Sequence, residues 1–192
     1  MDLESIVLKE LMAFIPVYMP LEGNCTQIYT KEGGTYAIDK SIKTFLNLLC
    51  QYYLMDLQAV RKYYGNLLSM KNLIPIPLTE EDVFIPIKVR KPIGKNDGAT
   101  GFVNIKYIEN VEKSNDKVII KLKNDENINC ISSLETVNKH IKNGHIVKKF
   151  YGEKQKSIII KEYDFYEEYN KPATKGDIAL LRQEILKLKG LY

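Results

Sequence analysis

Tryptophan is missing from this 192-residue chain, histidine occurs twice, and arginine occurs only as Arg61, Arg90 and Arg182. Each shortage narrows the function. His140 and His145 are too few for the closed ligand sets of most metal sites and leave little for acid–base catalysis. Cys25, Cys50 and Cys130 are odd in number, far apart and without a C-x-x-C pair. That argues against a disulfide scaffold or zinc knuckle and points to reduced thiols in a cytoplasmic protein. No apolar run approaches the roughly 20 residues of a membrane span, and the acidic start MDLES lacks the basic region of a signal peptide. Glu80-Glu81-Asp82 stands without a matching base or metal set and reads as a solvated turn. We therefore expect no enzyme, no cofactor, no metal and no small-molecule substrate.

What is present is ordinary globular composition, 45% hydrophobic and 27% charged, enough for a real core. Net charge is only +4, so the whole-chain balance does not establish a nucleic-acid partner. The positive charge is almost all lysine. Lysine is a flexible point charge suited to phosphate, whereas arginine carries the rigid fork that reads base edges.

Pattern gives the elements. IVLKELMAFIPVYM, residues 6–19, mixes strand formers with Pro16 and reads as an edge strand. TQIYTKEGGTYAI reads as a hairpin turning at Gly33-Gly34. Ile42, Phe45, Leu46 and Leu49 then form a helical stripe, capped by Asp39 or Ser41. A second helix starts at the cap Asp56 and is expected to stop at Gly65. Pro75, Pro77 and Pro86 restrict NLIPIPLTEEDVFIPIKV to extended segments at a sheet edge, joined near Glu80 and Glu81. GFVNIKYIENV and DKVIIKLKN alternate with period two and read as a hairpin turning at Lys113–Asp116. Ser133 to about Asn143 reads as a helix ended by Gly144, and SIIIKEYDFYEEY begins as a strand. The last helix carries Thr174 and Asp177 as a capping box, with Gly190 as its end. Its Ile178, Leu181, Ile185 and Leu188 form a stripe that suits a core, a dimer seam or a partner.

These elements predict an α+β fold: an antiparallel sheet with helices packed on one face and a C-terminal amphipathic helix. The division expected is 1–170 as the main domain and 171–192 as a helix for oligomerisation or docking, hinged near Pro172.

The loop VRKPIGKNDGATGF, residues 89–102, has the wrong glycine spacing for a P-loop and precedes a strand rather than a helix. It is either a turn built on Asn96, Asp97 and Gly98, or a nucleic-acid contact carrying Arg90, Lys91 and Lys95. The hairpin lysines Lys117, Lys121 and Lys123 share one face, with Lys106 expected beside them. That face is either merely solvated or tracks a phosphate backbone. Lys148 and Lys149 belong to a second basic run. The cations crowd the middle of the chain while the N-terminal thirty residues are acid-rich.

The chain resembles the ComK family of competence transcription factors. The likeness runs from LMAFIPV and CTQIYTKEGGTYAI through KSIKTFLNLLCQYY, the basic pair Arg61-Lys62 and KNLIPIPLTEEDVFIPI to Gly101-Phe102-Val103. It covers roughly Leu11 to Tyr151. It departs at Leu54-Met55-Asp56, where the family has Gly-Ser-Ser, and at Phe102, which stands in for a tryptophan. The resemblance implies a cytoplasmic transcriptional activator that binds A/T-rich double-stranded DNA as a homo-oligomer, largely through the minor groove. It adds Arg61 and Lys62 to the candidate contacts. The alternative is a protein-interaction module of a regulatory pathway, docking through the C-terminal helix without binding DNA.

Overall fold

The computed structural model describes residues 3–32, 34–94, 97–114, 117–169 and 171–189, with side chains described outside 157–169. It divides into two compact units, Met1–Gly152 and Glu153–Tyr192.

The first unit is built on a six-stranded antiparallel sheet. After a short helix α1 (Leu3–Leu8) come β1 (Leu11–Met19), β2 (Gly23–Thr30) and β3 (Thr35–Ile38), then the helices α2 (Ile42–Tyr52) and α3 (Leu57–Leu67). β4 (Ile76–Pro77), β5 (Val83–Lys88) and β6 (Thr100–Asn104) complete the sheet in the order β3-β2-β1-β6-β5-β4. A second antiparallel sheet holds β7 (Ile108–Ser114), β8 (Lys117–Leu122) and β9 (Asn127–Cys130). The α+β class, the antiparallel pairing and the C-terminal helix all stand as expected.

Strand alternation sorts the core. Phe14, Phe84 and Phe102 face one side with Phe45, Leu46 and Leu49 of α2 and Ile6 of α1. Phe14 is fully buried there, its ring 5.1 Å from both Phe45 and Phe102. Their neighbours Ala13, Ile85 and Val103 face the other side, against Val118, Ile120 and Leu122 of β8 and Val137 and Val147 of α4 (Leu134–Tyr169). Helices therefore pack on both faces rather than one, because the sheet is apolar on both faces. The second sheet shares the far face with α4.

Several expectations need correction. Residues 6–19 are not an edge strand: a helix precedes β1, which lies inside the sheet between β2 and β6. β1 meets β6 only at Ala13 and Phe14, so Pro16 lies where that side of the strand carries no ladder and a missing N–H is tolerated. Pro86 is accommodated similarly, since the two-residue β4 covers only Val83 and Phe84 of β5.

The stretch GFVNIKYIENV is not one strand. Asn104 accepts a bond from Lys106 N and opens a 3-10 turn, Ile105–Tyr107, that carries the chain from one sheet to the next. The observed hairpin is β7–β8.

Two glycines read as helix ends lie inside helices. α3 runs through Gly65 to Leu67, and α4 runs through Gly144. A Cβ on Gly144 would stand 2.6 Å from Ile85 Cγ2 and 2.9 Å from Ile105 Cγ2, so this glycine lets the helix approach the sheet. SIIIKEYDFYEEY is helical backbone of α4, not a strand.

The caps agree with the sequence. Ser41 accepts from Thr44 N, and Asp56 accepts from Gln58 N and Ala59 N.

In the second unit, which begins at Glu153 within α4, α5 (Lys175–Leu188) opens with the capping box of Thr174 and Asp177. Gly33, Asn96, Asp116 and Gly190, each expected at a turn or helix end, lie outside the described residues. Among the described residues no helix is long and apolar enough to cross a membrane.

Candidate nucleic-acid interface

The glycine-rich loop is tethered to the body. Asp97 accepts bonds from the backbone of Ile93 and Gly94 and from Asn24 Nδ2, and its carboxyl is held below the ordinary range by these contacts, Asn24 foremost. Arg90 donates from Nε to Gly98 O at 2.7 Å and from Nη2 to Asn24 Oδ1 at 2.5 Å. Its Nη1 is buried without a hydrogen-bond partner among the described residues, beside a cavity of about 250 Å³ lined by Asn24, Ser41, Lys43 and Asp97. Arg90 thus binds the loop to β2, which sets it apart from the groove-entering arginine expected at a flexible tip. Asp97 supplies the turn chemistry expected of it. Lys91 is exposed beside it, and Lys95 lies outside the described residues.

The structure brings together only part of the expected lysine patch. Lys106 sits on the 3-10 turn rather than on the hairpin, its Nζ 5.2 Å from the Tyr107 ring centroid. Lys117 and Lys121 do share the outer face of β8, opposite buried Val118, Ile120 and Leu122, as alternation requires. Lys121, however, is held by Glu109 at 2.9 Å and Asp125 at 3.0 Å, and its ammonium is stabilised above the usual lysine range by those two bonds. Glu109 is the extra residue of an irregularity in β7, which explains why pairing alone did not place it there. Lys148 is bonded to Glu81 at 2.7 Å. Lys149 is exposed on α4 and Lys123 follows β8, its N–H bonded to Tyr107 O. Arg61 and Lys62 are exposed on α3.

The register of β5 and β6 orders these charges. Phe84 pairs with Asn104 at one end of the ladder and Lys88 with Thr100 at the other. Lys106 follows the Asn104 end, where Glu10, Asp82 and Tyr107 line the same cleft and Glu81 feels its charge. Tyr107, buried, donates its hydroxyl to Glu10, which also takes Lys31 at 2.8 Å. Cations here are matched by carboxylates.

The Lys88 end differs. Arg61 and Lys71 border a concavity of about 280 Å³ with Asn72, floored by Pro86, Thr100 and Phe102. Lys88 follows Phe84 and Pro86 with period two, so it leaves the sheet on that same face and is exposed. Lys43, exposed at the start of α2, borders the neighbouring Arg90 cavity. Ile131 N bonds Lys88 O at 2.9 Å, so the Val118–Cys130 end of the second sheet, with Lys117 beyond it, adjoins this region. Among the described residues none of Lys43, Arg61, Lys71 and Lys88 is in an ion pair.

Arg90 and Lys106 therefore lie at opposite ends of one ladder, and Lys121 is neutralised. Lys43, Lys71 and Lys88, which border this end, were not among the expected contacts. Only Lys88 left a trace in the sequence, as the charged residue ending an apolar alternation. Comparison with family models, curated proteins and solved structures finds no match to this chain.

Proposed function

We propose that the chain is a DNA-binding transcriptional regulator acting in the cytoplasm, and that it contacts duplex DNA through the Lys88 end of its larger sheet. The observation that carries this is that Arg61 and Lys71 border one shallow concavity, with exposed Lys88 on the same face of the sheet and Lys43 on the neighbouring cavity, and that among the described residues none of the four is in an ion pair. Unpaired, exposed ammonium groups can exchange water and counterions for phosphate, and those already bonded to carboxylates cannot do so without losing that partner. Arg61 takes the role that Arg90 was expected to fill, because its guanidinium is exposed and a narrow A/T minor groove attracts arginine. The resemblance to ComK proteins supports the same class and independently points to Arg61.

The test is binding to A/T-rich and G/C-rich duplexes across a salt series, read by fluorescence anisotropy. Each phosphate contact contributes a slope of about −0.9 in log affinity against log salt. Lys88→Ala and Lys71→Ala should weaken both duplexes alike and flatten the slope by about one unit each. Arg61→Ala should lose more of the A/T preference, and Lys121→Ala should change little. Absence of binding at low salt, or an equal loss for Lys121→Ala and Lys88→Ala, sinks the proposal.

A further inference from the structure

We propose that α5 pairs with α5 of a second copy as a parallel, two-stranded coiled coil. Ile178, Leu181, Ile185 and Leu188 recur at spacings of three, four and three, the a and d positions of two consecutive heptads. All four are solvent-exposed in the single chain, between 44% and 87%. A stripe of this kind left in water is unfavourable, and among described residues nothing of the chain itself covers it.

The occupant follows from three features. The a positions are isoleucine and the d positions leucine, the combination that favours two parallel strands over three or four. The g positions are Asp177 and Glu184, both acidic, while the e positions are Arg182 and Lys189, both basic. In a parallel pair each g residue meets the e residue five positions on in the other chain, so Asp177 faces the partner's Arg182 and Glu184 faces the partner's Lys189. In an antiparallel pair g would face g and e would face e, placing acid against acid and base against base. The charges therefore choose orientation as well as partner, and they make the helix complementary to itself. The helix is prepared for this role, since its capping box satisfies the first turn without help from another element. Leu180, also exposed, lies off the seam. Two heptads fall short of the roughly three or four that make an isolated coiled coil. The association is therefore reversible and concentration-dependent. This inference does not rest on the DNA-binding proposal.

The experiment uses the full chain without DNA, by sedimentation equilibrium over a concentration series. Wild type should pass from monomer to dimer. Glu184→Lys and Lys189→Glu each place like charges at both symmetry-related g–e contacts, and each should raise the dimer dissociation constant about tenfold. An equimolar mixture of the two should restore dimer, because the heterodimer regains both attractions. Both positions are exposed, and unchanged far-ultraviolet circular dichroism checks that the helix persists. Orientation is read with Ile185→Cys under mild oxidation. A parallel seam sets the two introduced thiols face to face and gives a cross-linked dimer, whereas an antiparallel one sets residue 185 opposite 181. The native cysteines are buried and do not compete. A wild-type chain that stays monomeric throughout, charge variants that dimerise like wild type, a mixture that fails to recover, or a dimer that Ile185→Cys cannot cross-link would each overturn the proposal.

Discussion

Replacing Gly144 by alanine sets two well-known effects against each other at one residue. Alanine in a helix interior is favoured over glycine by about 1 kcal/mol, so propensity alone makes Gly144→Ala stabilising. The structure says otherwise. The new methyl would stand 2.6 Å from Ile85 Cγ2 and 2.9 Å from Ile105 Cγ2, both well inside van der Waals contact. Those atoms belong to β-branched side chains with stiff χ1 angles, buried to 0% and 8% exposure, so they cannot swing aside cheaply. Overpacking of this kind costs about 1–3 kcal/mol. Gly152→Ala is the internal control. It lies in the same helix and gains the same propensity term, but among the described residues the atoms nearest its methyl all belong to Glu80, with Oε1 at 2.9 Å, the end of an exposed, flexible side chain. The difference between the two variants isolates the packing term. Urea unfolding of both should show Gly152→Ala at or above wild type and Gly144→Ala below it, separated by about 1–3 kcal/mol. If both midpoints rise together, the isoleucines yield freely, and the close approach of α4 to the sheet is not what Gly144 is for.

Two further outcomes follow from the site. Arg90→Ala removes both the Gly98 and Asn24 bonds, so it should destabilise the first unit by about 1–3 kcal/mol and speed proteolysis near residues 91–98, while duplex affinity at saturating fold stability changes less than in Arg61→Ala. Stability should also fall in acid in two stages, followed by chemical unfolding from pH 8 to pH 3. His140 is buried, and burial lowers its affinity for a proton in the fold; the unfolded chain takes one up as pH drops below 6.5, so stability begins to decline there, and His140→Phe should remove this stage. Glu10 and Glu81 are held below 4.5 by their bonds to Lys31 and Lys148 respectively, and Asp97 below 3.8 by Asn24. Their contribution is present above those values and disappears as pH falls through the folded pKa, giving a second decline that Glu10→Gln should soften. A stability constant from pH 7 to pH 5 would contradict the first stage.

The elements that the sequence declared were those whose signal is local. Ser41, Asp56 and the Thr174–Asp177 pair sit at helix starts because a cap needs only its own three following residues. The β2–β3 hairpin likewise depends on neighbours in the chain. The errors arose where a distant contact decided. Gly144 looks like a stop until Ile85 and Ile105 arrive beneath it. Val103, Ile105 and Tyr107 keep their alternation across Asn104–Tyr107 because all three are buried, although the chain changes sheets between them. The candidate site shows the same dependence on distant contacts. A lysine carries no local mark of whether Glu109 or Glu81 will reach it across the fold. Lys121 and Lys148 therefore looked as available as Lys88, and Lys43 and Lys71 passed unnoticed.

On the proposed reading, that dependence on pairing lets a chain of net charge +4 present a cationic region at the Lys88 end. The acidic residues have not vanished; Glu10, Glu81 and Asp82 stand at the Asn104 end of the β5–β6 ladder, beside Lys106. From Val83 to Lys88 the strand covers roughly 17–20 Å, at about 3.3 Å per residue. Screening in physiological salt acts over about 8 Å. Those carboxylates are therefore too far away to cancel the potential at the Lys88 end, where Asp97 is already engaged by Asn24 and the loop backbone; on the proposed reading a polyanion approaching Lys88 meets Arg61 and Lys71 rather than the molecular average. Whole-chain charge understates the attraction because it adds together groups that the solvent keeps apart. The quantity that matters is which cations remain unneutralised within one screening length of one another, and folding sets that by choosing which lysines the carboxylates reach.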